Sequence, residues 1–288
     1  MRLNILNMKK IAILLLGFVI TNQSIAQVSV TEDNDIKNFR FGLKGDLSFD
    51  WLNIDNDKKF LANGVGAGYD WGMQMEFKLN NTVSIVTGLS LKSNSLKLSY
   101  LGASSADSTY YVLDKDEAFV PFDTAALSNV NNKVFLLENR KVSANYINIP
   151  IALKMKTKEI GYLTYFGQFG ANIGINTKSR ATDDAFLRTQ NTDSSYAFTS
   201  LVNEKLEMTN GTQLLRLGLQ IGGGAEYNFS GSTSLLLGIT YNHYFTNALR
   251  NEKNEDYLQT YDQVDTEWQA AAAKVLPGSV SITVGILF

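Results

Sequence analysis

From Phe39 to Trp51 the chain alternates without a break. Phe39, Phe41, Leu43, Gly45, Leu47, Phe49 and Trp51 take one parity, and Arg40, Gly42, Lys44, Asp46, Ser48 and Asp50 take the other. Side chains on a strand point to opposite faces with period two, so this run is a ribbon with one apolar and one polar face. The parity returns from Val65 to Leu79, where Val65, Ala67, Tyr69, Trp71, Met73, Met75, Phe77 and Leu79 alternate with glycines, Asp70, Gln74, Glu76 and Lys78. Such runs exceed the roughly five or six residues of an ordinary strand and match the about 9 to 11 tilted residues that cross a bilayer.

Six more alternating runs follow. The third begins at Val83 with Ile85, Thr87, Leu89 and Leu91 on one face, and its phase slips near Ser93 to Leu96, which predicts a bulge. The others cover 145–155, 163–175, 215–229, 235–245 and 280–288. Between runs the connections alternate in length: 80–81, 158–161 and 230–233 are tight, whereas 52–62, 101–140, 179–211 and 247–275 are long. Long and short connections on opposite ends, with an even number of strands, predict an all-β fold. Residues 39–288 should form an eight-stranded antiparallel transmembrane β-barrel of the outer-membrane type, with long extracellular loops and both termini periplasmic. Aromatic residues near strand ends fit interfacial girdles: Phe39, Phe41, Phe77, Tyr165, Tyr227, Phe229 and Phe288 at one end, Phe49, Trp51, Tyr241 and Phe245 at the other. A soluble lipocalin-like barrel alternates too, but turns its apolar face inward around a ligand.

The start of the chain favours the membrane form. Arg2, Lys9 and Lys10 precede the apolar run from Ile11 to Ile20, and Ser24-Ile25-Ala26 supplies small residues for cleavage before Gln27, so 1–26 reads as a secretory signal and 27–38 as a short periplasmic segment. Ten apolar residues fall well short of the roughly 20 a membrane helix needs. Taking the signal's three cations from the chain's 26 leaves 23 basic residues against 28 acidic, which disfavours nucleic acid as a partner.

Little in the sequence points to chemistry. The chain has no cysteine, which excludes thiol and Cys-ligated zinc sites. His243, the only histidine, lies on the outward parity with no nucleophile or orienting carboxylate marked nearby. Gly222 to Gly224 lies inside a strand with no helix start after it and is no phosphate loop. Asp183-Asp184 reads as solvated loop surface. No catalytic, cofactor-binding or metal-binding residue is assigned, and no cofactor is expected. On the inward parity Arg40, Lys44, Lys78, Lys92, Lys154, Lys156 and Arg216 face Asp46, Asp50, Asp70, Glu76 and Glu226. Eight strands enclose a lumen just wide enough for side chains, so these charges must pair into a near-neutral bracing network, with Tyr162 and Phe166 as further obstruction.

Tyr146-Ile147-Asn148-Ile149-Pro150-Ile151-Ala152-Leu153-Lys154 resembles the Tyr-x-x-Ile-Pro-x-x-x-Lys strand signature of the PorT-like outer-membrane β-barrel family of Bacteroidota. Gly222 to Tyr227 with Leu237 to Tyr241 resembles that family's penultimate hairpin, and Val280 to Phe288 its closing strand. Asn148 stands where the family often has Glu. The resemblance implies an integral protein of the outer membrane, and one named member is linked to the type IX secretion machinery.

Recognition by long loops on a rigid scaffold is the reading the residues favour over catalysis. Tyr110, Tyr111, Phe119, Val120, Pro121 and Phe122 make 101–140 unusually apolar, and Tyr257, Tyr261, Val264 and Trp268 have helical spacing, which predicts a short amphipathic helix. Tyr110, Tyr111, Phe119, Phe122, Tyr257, Tyr261 and Trp268 are the candidate partner-binding residues; they serve equally well as a cap folded over the barrel mouth. The expectation is a monomeric, non-catalytic barrel with a structural or extracellular-binding role, contacting outer-membrane lipid. An accessory part in a secretion or envelope complex is the alternative, with a soluble ligand-binding barrel and an outer-membrane hydrolase behind it.

Overall fold

The computed structural model describes residues 39–54, 60–100, 107–193, 195–208, 211–250, 257–262, 267–271 and 274–288. The expected signal, the segment 27–38 and Val264 lie outside them. The long strands are β1 (Phe39–Ile54), β3 (Gly66–Lys78), β4 (Val83–Tyr100), β7 (Lys133–Lys156), β8 (Leu163–Gln190), β10 (Leu215–Ser230), β11 (Thr233–Tyr244) and β14 (Val275–Leu287). Each pairs antiparallel with its neighbours in the order β1-β3-β4-β7-β8-β10-β11-β14, and β14 returns to β1 through Gly42–Leu287 to Ile54–Val275. The result is an eight-stranded antiparallel barrel. Closure satisfies every strand's backbone within the ring, the condition for crossing hydrocarbon.

The lipid-facing parity is the expected one: Leu43, Leu47, Phe49, Trp71, Leu89, Ile151, Phe169, Leu219, Ile239 and Ile282 are all exposed. Phe39 and Phe77 meet ring to ring at 5.1 Å at the short-turn end, and Trp51 and Tyr241 at 6.0 Å at the other. Tyr162, expected inward, is instead 67% exposed beside Tyr227, because it sits in the turn before β8, where the strand parity has not begun.

Two strands run far past the expected loop boundaries. β7 begins at Lys133 and β8 continues to Gln190, so 133–140 and 179–190, read as loop, join with 141–144 in a tall antiparallel ribbon. Strands β5 (Asp107–Leu113), β6 (Phe119–Val120), β9 (Tyr196–Glu207), β12 (Gln259–Asp262) and β13 (Glu267–Ala270) extend it sideways, with β5 on β7 and β9 on β8. β2 (Phe60–Ala62) pairs with the top of β4, and a five-residue helix, α1 (Thr124–Ser128), is capped by Asp123, which accepts from the Ala126 N–H at 2.7 Å.

The ribbon is hidden in the sequence because on β4 and β7 the hydrophobic pattern changes sign while the parity does not, and on β8 the parity itself slips at the extra residue Thr177. Inward residues of β4 run Ser90, Lys92, Asn94 and then Leu96, Leu98, Tyr100, all buried. Its pairing with β3 ends at Ser93, but its register with β7 passes through this point unbroken, so the bulge expected at 93–96 is absent from that ladder. On β7 the outward residues Ile151, Ile149 and Ile147 give way to Asn145, Ser143 and Lys141, while the inward ones change from Lys154 and Asn148 to Ala144 and Val142. The lower barrel is polar inside and apolar outside. The upper part has an ordinary apolar core, made by Leu52, Leu96, Leu98, Tyr111, Phe135, Leu137, Val142, Leu249, Leu258 and Val275 among others. This upper part is a folded head.

Candidate binding site at the long-loop end

The lumen beneath the head is closed by charge. Arg40 bonds Glu226 at 2.6 Å, Lys154 reaches Glu76 at 3.3 Å and also contacts Glu226, and Lys156 pairs with both carboxylates. Above them Lys44 meets Asp46 at 2.8 Å and Lys92 approaches Asp50 to 3.9 Å. Glycines on the wall make room for the one large ring in this layer: a Cβ on Gly224 would fall 2.9 Å from Phe166 Cζ, and Lys154 Nζ lies 4.2 Å from that ring's centre. A polar void of about 50 Å³ remains beside Asp46, Asp70, Asn148 and Asn172, each with one oxygen lacking a protein partner, a setting that accommodates water.

A lid of stacked side chains separates this lumen from the head. The buried Arg216 guanidinium lies 3.8 Å from the Tyr146 ring centre and 4.2 Å from that of Tyr244, and its Nη1 donates to Asn94 Oδ1 at 3.1 Å. Sandwiching between two π-faces stabilises a desolvated cation where acceptors are few.

In the head, Asp183 is 0% exposed and accepts from Arg140 Nε at 2.7 Å and Nη2 at 2.6 Å. The reading of Asp183-Asp184 as solvated surface therefore holds for Asp184 alone. Asp183 shares the inward parity of the upper half of β8 with Ala181 and Ala185. Burial works against the Arg140 charge, but the adjacent carboxylate outweighs it and raises the arginine pKa above its ordinary value. Burial also pushes the Tyr100 hydroxyl up to about 12 and raises that of Tyr111, which accepts from Asn203 Nδ2 at 2.7 Å.

The structure divides the seven aromatic candidates into two groups. Tyr111, Phe119 and Tyr257 point toward the core: Tyr111 stacks on Phe135 at 5.3 Å and meets Phe119 at 5.5 Å, and Phe119 meets Tyr257 at 6.2 Å. Tyr110, Phe122, Tyr261 and Trp268 form a separate surface cluster in which Trp268, 41% exposed, touches the other three at 5.6, 4.6 and 5.1 Å. Tyr261 and Trp268 are cross-strand partners in the β12–β13 hairpin, not neighbours on a helix; spacings of four and seven residues suit both arrangements, and the pairing of β12 with β5 decides for strands. Arg188 stands over Tyr196 at 4.6 Å and Tyr110 at 5.9 Å, extending the cluster.

Arg140, Asp183, Leu206 and Met208 were not anticipated. Carrying the inward parity of Tyr146 back along β7 places Arg140 inside, but carrying that of Asn172 and Gly174 forward lands on Asp184; the extra residue Thr177, between the pairs Tyr146–Asn176 and Asn145–Lys178, shifts β8 by one and turns Asp183 inward, which the residue pattern does not signal. His243 lies on the outward face of β11, opposite Leu219 in register. Among the described residues no group of His, Asp and Glu is disposed to hold a metal ion.

A family model described as "Outer membrane protein beta-barrel domain" matches residues 23–254. No curated protein matches the sequence. Among solved structures, Ail, the attachment invasion locus protein of Yersinia pestis, is similar at 10% identity over 86% of this chain and 98% of its own, with a TM-score of 0.34. Neisserial surface protein A is similar at 12% identity over 85% and 95%, with a TM-score of 0.32. The outer membrane protease OmpT of Escherichia coli is similar at 10% identity over 90% and 98%, with a TM-score of 0.30.

Proposed function

This chain belongs to the outer membrane protein β-barrel domain family and is an integral outer-membrane protein, and we propose that it is a non-catalytic one whose head binds a partner outside the cell. In this reading the short turns and both termini face the periplasm, and the head stands above the outer leaflet. The observation that carries it is the Trp268 cluster: three aromatic side chains held on paired strands, with Phe122 from the segment before α1 against them and an exposed indole at the centre. Rigid aromatic groups beside an arginine are the composition of binding hot spots. The lumen below supports the same reading, since its ion pairs and the Arg216 lid leave the wall a brace and give no role in transport.

The test is cross-linked co-purification from the native outer membrane, comparing the wild type with Trp268→Ala/Tyr261→Ala. The expected result is one partner recovered in a fixed ratio by the wild type and lost by the variant, with heat-modifiable migration of the barrel unchanged. Equal recovery by both proteins, or no partner for either, refutes the reading.

A second reading, as an accessory component of a secretion or envelope complex, rests on the PorT-like resemblance of 146–154. Tyr146, Pro150 and Lys154 of that stretch are turned inward, where they stack on Arg216, line the void and anchor the ion network. A partner that is a stable periplasmic or inner-face assembly, retained by the Trp268 variant, favours this second reading.

A further inference from the structure

Between the ribbon and the loops of the head lies a cavity of about 390 Å³, separate from the Trp268 cluster. Its walls are Ala118, Phe119, Leu206, Met208 and Tyr257, its base is Arg140, and its rim carries Asp116, Glu117, Lys205 and Glu207. The volume falls in the roughly 300 to 1,000 Å³ range of small-molecule sites, and the lining joins apolar walls to a charged base and rim.

Three features of the backbone converge on it. Glu117 and Lys205 are the only non-glycine residues with positive φ among the described residues, both at 59°, and both line this cavity. A side chain in the left-handed region is strained, and such residues collect where a site over-determines them. Lys205 belongs to a bulge: β9 inserts Glu204 and Lys205 opposite the single residue Thr182, between the pairs Asp183–Asn203 and Ala181–Leu206. Opposite it, β7 carries the extra residue Glu138 between the pairs Leu137–Ala185 and Asn139–Asp184. Bulges re-aim side chains and recur beside binding sites. Here the two flank Asp183 on both sides, and Asp183 fixes the Arg140 fork that floors the cavity.

The charges select a ligand class. Asp183 neutralises Arg140, so the base offers an anion little net attraction. The rim sets three carboxylates against the one ammonium of Lys205. Glu207 shares an exposed pair with Lys178 at 3.2 Å, whereas Asp116 and Glu117 form no ion pair among the described residues. Tyr257 adds an aromatic wall, and ring faces attract organic ammonium groups. We propose that this cavity binds a small organic cation with an apolar or aromatic body, the body between Phe119, Met208 and Tyr257 and the cationic group at Asp116 and Glu117.

The test uses the full chain in lipid nanodiscs and three probes of similar shape: phenethylamine, 3-phenylpropanamide and 3-phenylpropionate, titrated by saturation-transfer NMR. The expected order is cation, then neutral amide, then anion. Asp116→Asn/Glu117→Gln, on an exposed turn, should weaken phenethylamine by about fivefold to tenfold and leave the amide unchanged. Ala118→Trp should abolish saturable binding of all three, with folding checked by heat-modifiable migration. If Ala118→Trp fails to fold, Met208→Phe, which narrows the same wall, takes its place. Saturable binding that survives filling the cavity, tighter binding of the anion, an unchanged cation affinity in the rim variant, or no saturable binding of any probe overturns the proposal.

Discussion

Replacing Asp183 by Asn should loosen the head while leaving the barrel intact. The carboxylate is fully buried, and its two oxygens take both parallel N–H groups of the Arg140 fork at 2.7 and 2.6 Å. An amide keeps the shape but removes the charge and turns one acceptor into a donor facing a guanidinium. Arg140 is then a buried cation left with the faces of Tyr111 and Phe119, at 5.4 and 5.1 Å, as its compensation. Removing one partner of a buried pair costs about 3 to 5 kcal/mol, and two cation–π contacts recover about a third of that, which leaves about 2 to 3 kcal/mol. The loss falls on the head because the register of the lower barrel does not pass through this pair. Limited proteolysis and amide hydrogen exchange should show faster opening of β5, β9 and the top of β7, with heat-modifiable migration unchanged. The double variant Arg140→Met/Asp183→Leu should recover most of the loss, since an apolar pair leaves no unsatisfied charge. Wild-type protection in Asp183→Asn refutes the reasoning, and so does a double variant no better than the single one.

Leu219→Arg, on a lipid-facing residue 60% exposed, should cost about 2 to 4 kcal/mol in folding titrations into liposomes, whereas Arg in place of the inward neighbour Gln220 should cost less. Planar-bilayer recording should show no large steady current, because the ion network and the Arg216 lid fill the lumen in series. Raising the pH should leave the head stable to about 10 and weaken it from there to about 12: burial raises the Tyr100 hydroxyl from 10.0 to about 12, so the unfolded chain loses its proton first and gains stability across that window. Tyrosinate absorbance followed alongside proteolysis checks this, and early ionisation without opening contradicts it.

The barrel was legible because lipid makes an unforgiving demand: Phe39 to Trp51 must alternate strictly if one face meets hydrocarbon. The head was not, because water outside and an apolar core inside reverse that pattern while the strands run on. Leu96 and Leu98 therefore look like a phase slip, and Lys178, Arg180 and Asp184, outward on β8, look like a polar loop. Val134, Phe135, Leu136 and Leu137 conceal the strand differently, since burial on both faces erases alternation altogether. Of the binding candidates the aromatic residue types were readable, but their division was not. Tyr110 and Tyr111 are adjacent, and which enters the core depends on a pairing with β7 that composition does not encode.

The switch on β7 from Ile147 to Asn145 also fixes how the protein rides in its bilayer. Only one outward position separates hydrocarbon-facing from water-facing chemistry, and β4 makes the same step from Leu91 to Ser93. A barrel with a graded border can settle deeper into a thicker membrane; this one would have to submerge the outward serine, asparagine and lysine side chains of β4 and β7. The lipid must yield instead, thinning around the wall to match a fixed height. A collar of strained lipid costs less when two such collars merge, so the same sharp waterline gives neighbouring copies a reason to gather that involves no contact between proteins at all.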